Sequence, residues 1–183
     1  ESFTAPAPGE LEVVDRKKPT GPPEQYKPFA AGEDGVAPLA AYGSRYVFHV
    51  SSSMHGPDGY SNNSPANAAW RVAQLHRKIE MHRDEIVLTR SFYTGDDYDV
   101  LLVAFGATSR AARAAALEAR KNGVKAGVLQ LITLWPFPDR EVAALGQNAR
   151  IVVVPEMNYA GQVAGEVLKA LGPDKDRRRV NKF

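Results

Sequence analysis

Glu156, Asn158 and Gln162 are clustered in Pro155-Glu-Met-Asn-Tyr-Ala-Gly-Gln162, directly after the apolar run Ile151-Val-Val-Val154. A carboxylate and two amides at the carboxyl end of a strand stand where open α/β sheets place their ligands. A single acid supplies no acid–base pair, so the turn is expected to dock onto a neighbouring domain rather than to react. A second candidate is Phe105-Gly-Ala-Thr-Ser-Arg110, a small-residue turn that opens a helix. A dinucleotide fingerprint needs G-x-G-x-x-G and a phosphate loop needs G-x-x-x-x-G-K-[ST]. This turn has one glycine and no lysine at the required place, and the next strand ends in Thr133-Leu-Trp-Pro136 without the acid that would hold a ribose. Its amide groups can attract an anion weakly, and the turn is expected to be structural.

The remaining chemistry-bearing residues are scattered. His76 and His82 are six apart and point in different directions on a helix, while His49 and His55 fall on a strand and in a loop without clustered carboxylates. His55, beside Gly56 and Gly59, reads first as a plain surface histidine and otherwise as a hydrogen-bonding group at an interface or active-site rim. Ser51-Ser-Ser53 has no base near it in sequence, and no G-x-S-x-G elbow occurs. No catalytic, cofactor-binding or metal-ligating residue is expected in this chain.

Composition narrows the field further. The 183 residues are 44% hydrophobic and 24% charged, enough for one domain with a real core plus an extension. A net charge of +2 gives no argument for nucleic acid, and no apolar run approaches the ~20 residues of a membrane span. The absence of cysteine removes disulfides, thiolate catalysis and Cys-ligated zinc or iron–sulfur clusters. Beginning on Glu1 and ending in "RRRVNKF", the chain reads as a piece of something longer.

The elements that must position these residues fall into four regions. Residues 1–45 are proline-rich and weakly periodic, which reads as a linker or as an arm laid on another surface, with Tyr26, Phe29, Leu39 and Tyr42 as anchors. Residues 46–84 hold an expected strand at Tyr46–Val50, a polar loop, and a helix over 65–83. Ser64 is placed to cap that helix and Pro65 to start it, with Ala68, Val72, Leu75 and Ile79 as its buried stripe. Residues 85–172 alternate strand and helix. Strands are expected at 86–92, 98–105, 124–134 and 151–154. A helix is expected to be capped by Thr108 or Ser109, and further helices to start at Asp139 and at Gln162. Leu101, Val103, Leu129, Leu131, Val152 and Val154 should form the core. Residues 173–183 are a polar tail.

Three ordered motifs, "DVLLVAFGATSRAARAA", "GVKAGVLQLITLWPFP" and "IVVVPEMNYAGQ", together resemble the C-terminal region of the alpha subunit of 2-oxoacid:ferredoxin oxidoreductases, most closely the 2-oxoglutarate type. "YKPFAAGEDGVAPLAAYG" is similar to the proline-rich passage that precedes it. The resemblance implies a three-layer α/β domain of the transketolase C-terminal type, with a mostly parallel sheet and one antiparallel edge strand at 86–92, preceded by the extended arm. It also implies a cytoplasmic enzyme that decarboxylates a 2-oxoacid oxidatively with coenzyme A and reduces ferredoxin. Thiamine diphosphate, Mg2+ and a 4Fe-4S cluster would come mainly through a beta subunit. The chain would contact the rest of the alpha subunit and the beta subunit, without nucleic acid or membrane. His55, Trp135, Phe137, Glu156, Asn158 and Gln162 are then candidates for a domain or subunit contact. The family often has T-H-D-x-x-G where this chain reads Met54-His55-Gly56-Pro57-Asp58-Gly59, so a role carried by that acid does not transfer. Two rivals are a domain of a transketolase or 2-oxoacid dehydrogenase, and a standalone module binding an anion or nucleotide.

Overall fold

Apolar runs bracketed by turns at Gly106, Gly123 and Gly161 fold into alternating strands and helices in the computed structural model, which describes residues 4–11, 14–172 and the backbone of 178–180. The chain forms two units, Glu1–His82 and Arg83–Phe183.

After α1 (Pro65–Met81) of the first unit, the second unit begins with a short helix α2 (Arg83–Ile86) that leads into β1 (Thr89–Phe92), β2 (Val100–Phe105), α3 (Thr108–Lys121), β3 (Ala126–Leu131), α4 (Asp139–Gly146), β4 (Ile151–Val153), α5 (Gln162–Leu171) and β5 (Arg178–Val180). The strand order is β1-β3-β2-β4-β5. β2 is central, pairing in parallel with β3 (Val100 opposite Ala126) and with β4 (Val100 opposite Ile151). β1 is the antiparallel edge, with Thr89 opposite Leu131. Of the expected polar tail, 178–180 form β5, parallel to β4, and the rest lies outside the described residues.

The alternation of strand side chains builds two cores. Leu101, Val103, Leu129, Leu131, Val152 and Val154, all buried, meet Val142 of α4 with Val163 and Val167 of α5. On the other face Ala104, Ala126 and Val128 meet Ala112 and Ala116 of α3. Small residues let α3 lie close to the sheet, while Ala115 is exposed. α4 and α5 also approach closely, since a Cβ on Gly146 would fall 2.2 Å from Leu171 Cδ2.

Several boundaries differ from expectation. The edge strand starts at Thr89 rather than Ile86, because 83–86 are helical and Leu88 accepts from the Ile132 and Thr133 amides instead of continuing the ladder. Neither Thr108 nor Ser109 caps α3. Ala107 holds that position without a side-chain bond, and the Thr108 hydroxyl donates to the Phe105 carbonyl at 2.7 Å.

The first unit holds a single turn of 3-10 helix (Pro23–Gln25) and α1 (Pro65–Met81), capped by Ser64, which accepts from the Asn67 amide at 3.3 Å. Tyr46–Val50 is not a strand, since no neighbouring strand pairs with it. Its aromatic rings turn instead to Tyr26, at 5.2 Å from Tyr46 and 6.0 Å from Phe48. Tyr hydroxyls stand in for a ladder: Tyr26 donates to the Pro38 carbonyl (2.9 Å) and accepts from the Ala40 amide (3.0 Å), and Tyr46 reaches the Pro19 and Gly21 carbonyls. The arm thus folds against residues of its own unit. The stripe expected to be buried on α1 is not; that helix has no buried residue.

Candidate functional site

β4 is followed by the buried Val154, and two residues later the chain turns inward. Glu156, only 2% exposed, sends its carboxylate under the start of α5. Its Oε1 accepts from the Ala164 amide at 2.7 Å, and its Oε2 from the Val163 amide at 3.0 Å and from Asn158 Nδ2 at 2.6 Å. Asn158 Oδ1 in turn accepts from the amides of Gly161 (2.7 Å) and Gln162 (3.2 Å). Gly161, at φ 66°, makes the left-handed corner that aims these amides at the two side chains. A helix begins with four amides that lack internal partners and with a partial positive charge. Glu156 and Asn158 satisfy both needs together. Both carboxylate oxygens are already engaged, so the group holds the turn.

That inward grip determines what faces outward. Glu156 and Asn158 point in, while Met157 (83% exposed) and Tyr159 lie on the surface. Across β2, the loop after β3 exposes Ile132, Leu134 and Trp135, the last at 66%. β3 and β4 flank β2 in parallel, so both loops leave the same end of the sheet, roughly 10 Å apart at their roots. The β3 loop is pinned from below. Arg83 Nη2 donates to the Phe137 carbonyl at 2.5 Å and pairs with Asp139, and the Thr133 hydroxyl donates to the Ile86 carbonyl at 2.7 Å. The Trp135–Pro136 peptide is cis. Phe137 is half-buried and packs against the core, between the buried Pro136 and Pro138.

A family profile described as pyruvate:ferredoxin oxidoreductase core domain II matches residues 98–182. The 2-oxoglutarate synthase subunit KorA of Methanothermobacter thermautotrophicus is 38% identical over 161 residues, covering 87% of this chain and 42% of that protein. Its counterpart in Methanocaldococcus jannaschii is 34% identical over 160 residues, or 86% and 41%. The solved 2-oxoglutarate:ferredoxin oxidoreductase from Magnetococcus marinus, with 2-oxoglutarate, coenzyme A and succinyl-CoA bound, superposes with a TM-score of 0.82 at 25% identity. It covers 97% of this chain and 31% of that one. This chain belongs to the 2-oxoacid:ferredoxin oxidoreductase family. It spans about two fifths of the length of the curated relatives.

The sequence has no cysteine, and among the described residues no three His, Cys, Asp or Glu side chains converge as a metal requires. The turn after β2 has Gly106 at φ 54° and a buried Ser109 hydroxyl with no partner among the described residues, but no lysine to meet a phosphate.

The structure brings Glu156, Asn158 and the Gln162 amide into one cap, sets Trp135 outward and Phe137 against the core, and leaves His55 in the other unit. His55 Nδ1 donates to the Ser53 carbonyl at 3.0 Å, its ring lies 4.1 Å from Phe29, and its Nε2 is buried without a partner among the described residues. Gly59 is required beside it, at φ 88° and with a would-be Cβ 1.9 Å from the His49 carbonyl oxygen. Where the family often has an acid, a Cβ on Gly56 would lie 3.1 Å from Asp58 Oδ1. Asp58 accepts instead from the Tyr60 amide at 3.1 Å. Sequence reasoning passed over Met157, Arg83 and Thr133. The alternation of Met157 and Tyr159 with the two cap residues was a signal for the first, whereas the pins act across 45 or more residues and left none.

Proposed function

We propose that this chain is the C-terminal part of the alpha subunit of a cytoplasmic 2-oxoglutarate:ferredoxin oxidoreductase. The complete enzyme cleaves the bond between the carboxyl and carbonyl carbons of the 2-oxoacid, releasing CO2. It joins the acyl group to the coenzyme A thiol and passes the electron pair to ferredoxin. The observation that carries this is the 38% identity to the KorA subunit over 161 residues, supported by the likeness in fold to the Magnetococcus marinus enzyme. Thiamine diphosphate, Mg2+ and the 4Fe-4S cluster are held through the beta subunit. The contribution of this chain is assembly: the Glu156 cap fixes a turn that offers Met157, and the loop after β3 offers Trp135, to the rest of the alpha subunit or to the beta subunit. Apolar side chains on rigid supports cost little entropy on docking.

Purified enzyme containing this chain and a beta subunit should reduce a viologen dye only when 2-oxoglutarate and coenzyme A are both present, and this chain alone should not. Turnover by the chain alone, or an assembled enzyme indifferent to every 2-oxoacid, contradicts the proposal.

A further inference from the structure

α1 has one polar face covered, while Val72 and Leu75 of its apolar stripe stay open. Residues 67, 71, 74 and 78 share one face by helical spacing. The arm lies over that face. A groove of about 250 Å³ is lined by Phe29, Val36, Leu39, Arg71, Gln74 and Lys78, with Leu75 of the apolar stripe at its border. Contact there is close: a Cβ on Gly35 would sit 3.1 Å from Lys78 Cα, and the Arg71 guanidinium lies 4.9 Å from the Phe29 ring centre. Partial burial lowers the pKa of Arg71. His82 Nε2 donates to the Asp34 carbonyl at 2.9 Å just past the end of the helix.

Ala68, Val72, Leu75 and Ile79 form the neighbouring stripe, about 16 Å long at 1.5 Å per residue. Val72 and Leu75 are each 46% exposed, and nothing on this helix is buried. A helix that belonged only to this unit would turn the stripe inward and the Arg, Gln and Lys outward. The pattern is that of a helix shared between two bodies, one of which is the arm.

We infer that the apolar stripe of α1 is the seat of another part of the same alpha subunit, the portion that the curated relatives carry and this chain does not span. Such relatives share only 42% of their length with this chain, so most of an alpha subunit is available as the second body. The occupant must offer an apolar strip of matching length. This inference rests on the assignment to an alpha subunit.

The chain has no cysteine, so a thiol introduced into it is unique within it. Val72→Cys and Leu75→Cys place that thiol in the stripe, and Ala73→Cys places it on another, exposed face. Each variant is treated with a maleimide under native conditions, alone and in the assembled enzyme, and the modified peptide is quantified by mass spectrometry. In the enzyme, thiols at 72 and 75 should react at least about tenfold more slowly than at 73, as the dry centre of an interface requires. In the chain alone all three should react at similar rates. Equal reactivity in the enzyme overturns the inference. So does protection already present in the chain alone, from its own second unit if independent of concentration and from a second copy if it grows with concentration. Turnover of the same samples separates the two proposals. An active enzyme that labels freely at 72 overturns the docking inference alone. Protection at 72 in an assembly that turns over no 2-oxoacid overturns the functional reading alone.

Discussion

Glu156 is a residue whose burial and bonding explain each other. A buried carboxylate is tolerated when charge-assisted donors replace water, and here two helix amides and Asn158 do so. Glu156→Ala should destabilise the chain by about 2–3 kcal/mol in urea unfolding, because it removes the cap and strands buried amides. Asn158→Ala should cost about 1 kcal/mol. A loss below ~0.5 kcal/mol for Glu156→Ala would mean the cap is not the reason for the acid. Trp135→Ala should leave unfolding within ~0.5 kcal/mol of wild type, since the ring touches mostly water in the chain alone.

At the scale of elements, the sheet depends on side chains covered from both faces. Leu101→Ala or Leu129→Ala should cost about 2–5 kcal/mol, the range for emptying a packed site. Near-neutral unfolding curves would contradict the two-core arrangement. Outside the core, Lys125 Nζ meets Asp97 Oδ2 at 2.8 Å, joining the turn before β2 to the start of β3. The bond to Lys125 lowers the Asp97 pKa, and the bond to Asp97 raises that of Lys125. The contribution of Asp97 is therefore present above the ordinary carboxylate range and lost as pH falls through its lowered value. That of Lys125 is present below the ordinary lysine range and lost as pH rises through its raised value. The difference in urea midpoint between wild type and Lys125→Met should be constant from about pH 5 to 9 and shrink toward about pH 3. A difference unchanged in acid would rule the pair out as its source. These elements were legible where period and punctuation agree: Gln162–Leu171 and Asp139–Gly146 follow turn residues, and the six core positions alternate within β-branched and leucine runs. Tyr46–Val50 has strand composition but no neighbour to pair with, and a strand is a property of two segments. The same limit hid the direction of α1, because periodicity shows that an apolar face exists and not which body covers it. In the Glu156 turn the residues were legible and their task was not. A carboxylate after a strand suits a ligand as well as a cap, and only the Val163 and Ala164 amides decide between them.

On the proposed reading, the molecule as a whole divides labour with the rest of an enzyme. It has sheet, caps and exposed apolar loops, and it has neither thiolates nor a convergent metal-binding set among the described residues. On that reading, its place in a 2-oxoacid:ferredoxin oxidoreductase is to bring surfaces together. Hydrogen exchange should show this as protection gained on assembly at Met157–Ala160, while the amides of Gly161–Ala164 are already slow in the chain alone because Asn158 and Glu156 bind them. Equal exchange at Met157–Ala160 in both samples would remove that turn from the interface. Assembly and chemistry are separated most directly by the rate of 2-oxoglutarate-dependent viologen reduction measured against subunit concentration, for wild type and for Trp135→Ala. An assembly role predicts the same plateau rate for both, with the midpoint of the variant moved about tenfold or more to higher concentration, as expected when an interface anchor is lost. A lowered plateau with an unmoved midpoint would contradict it, since Trp135 would then be acting on the reaction itself.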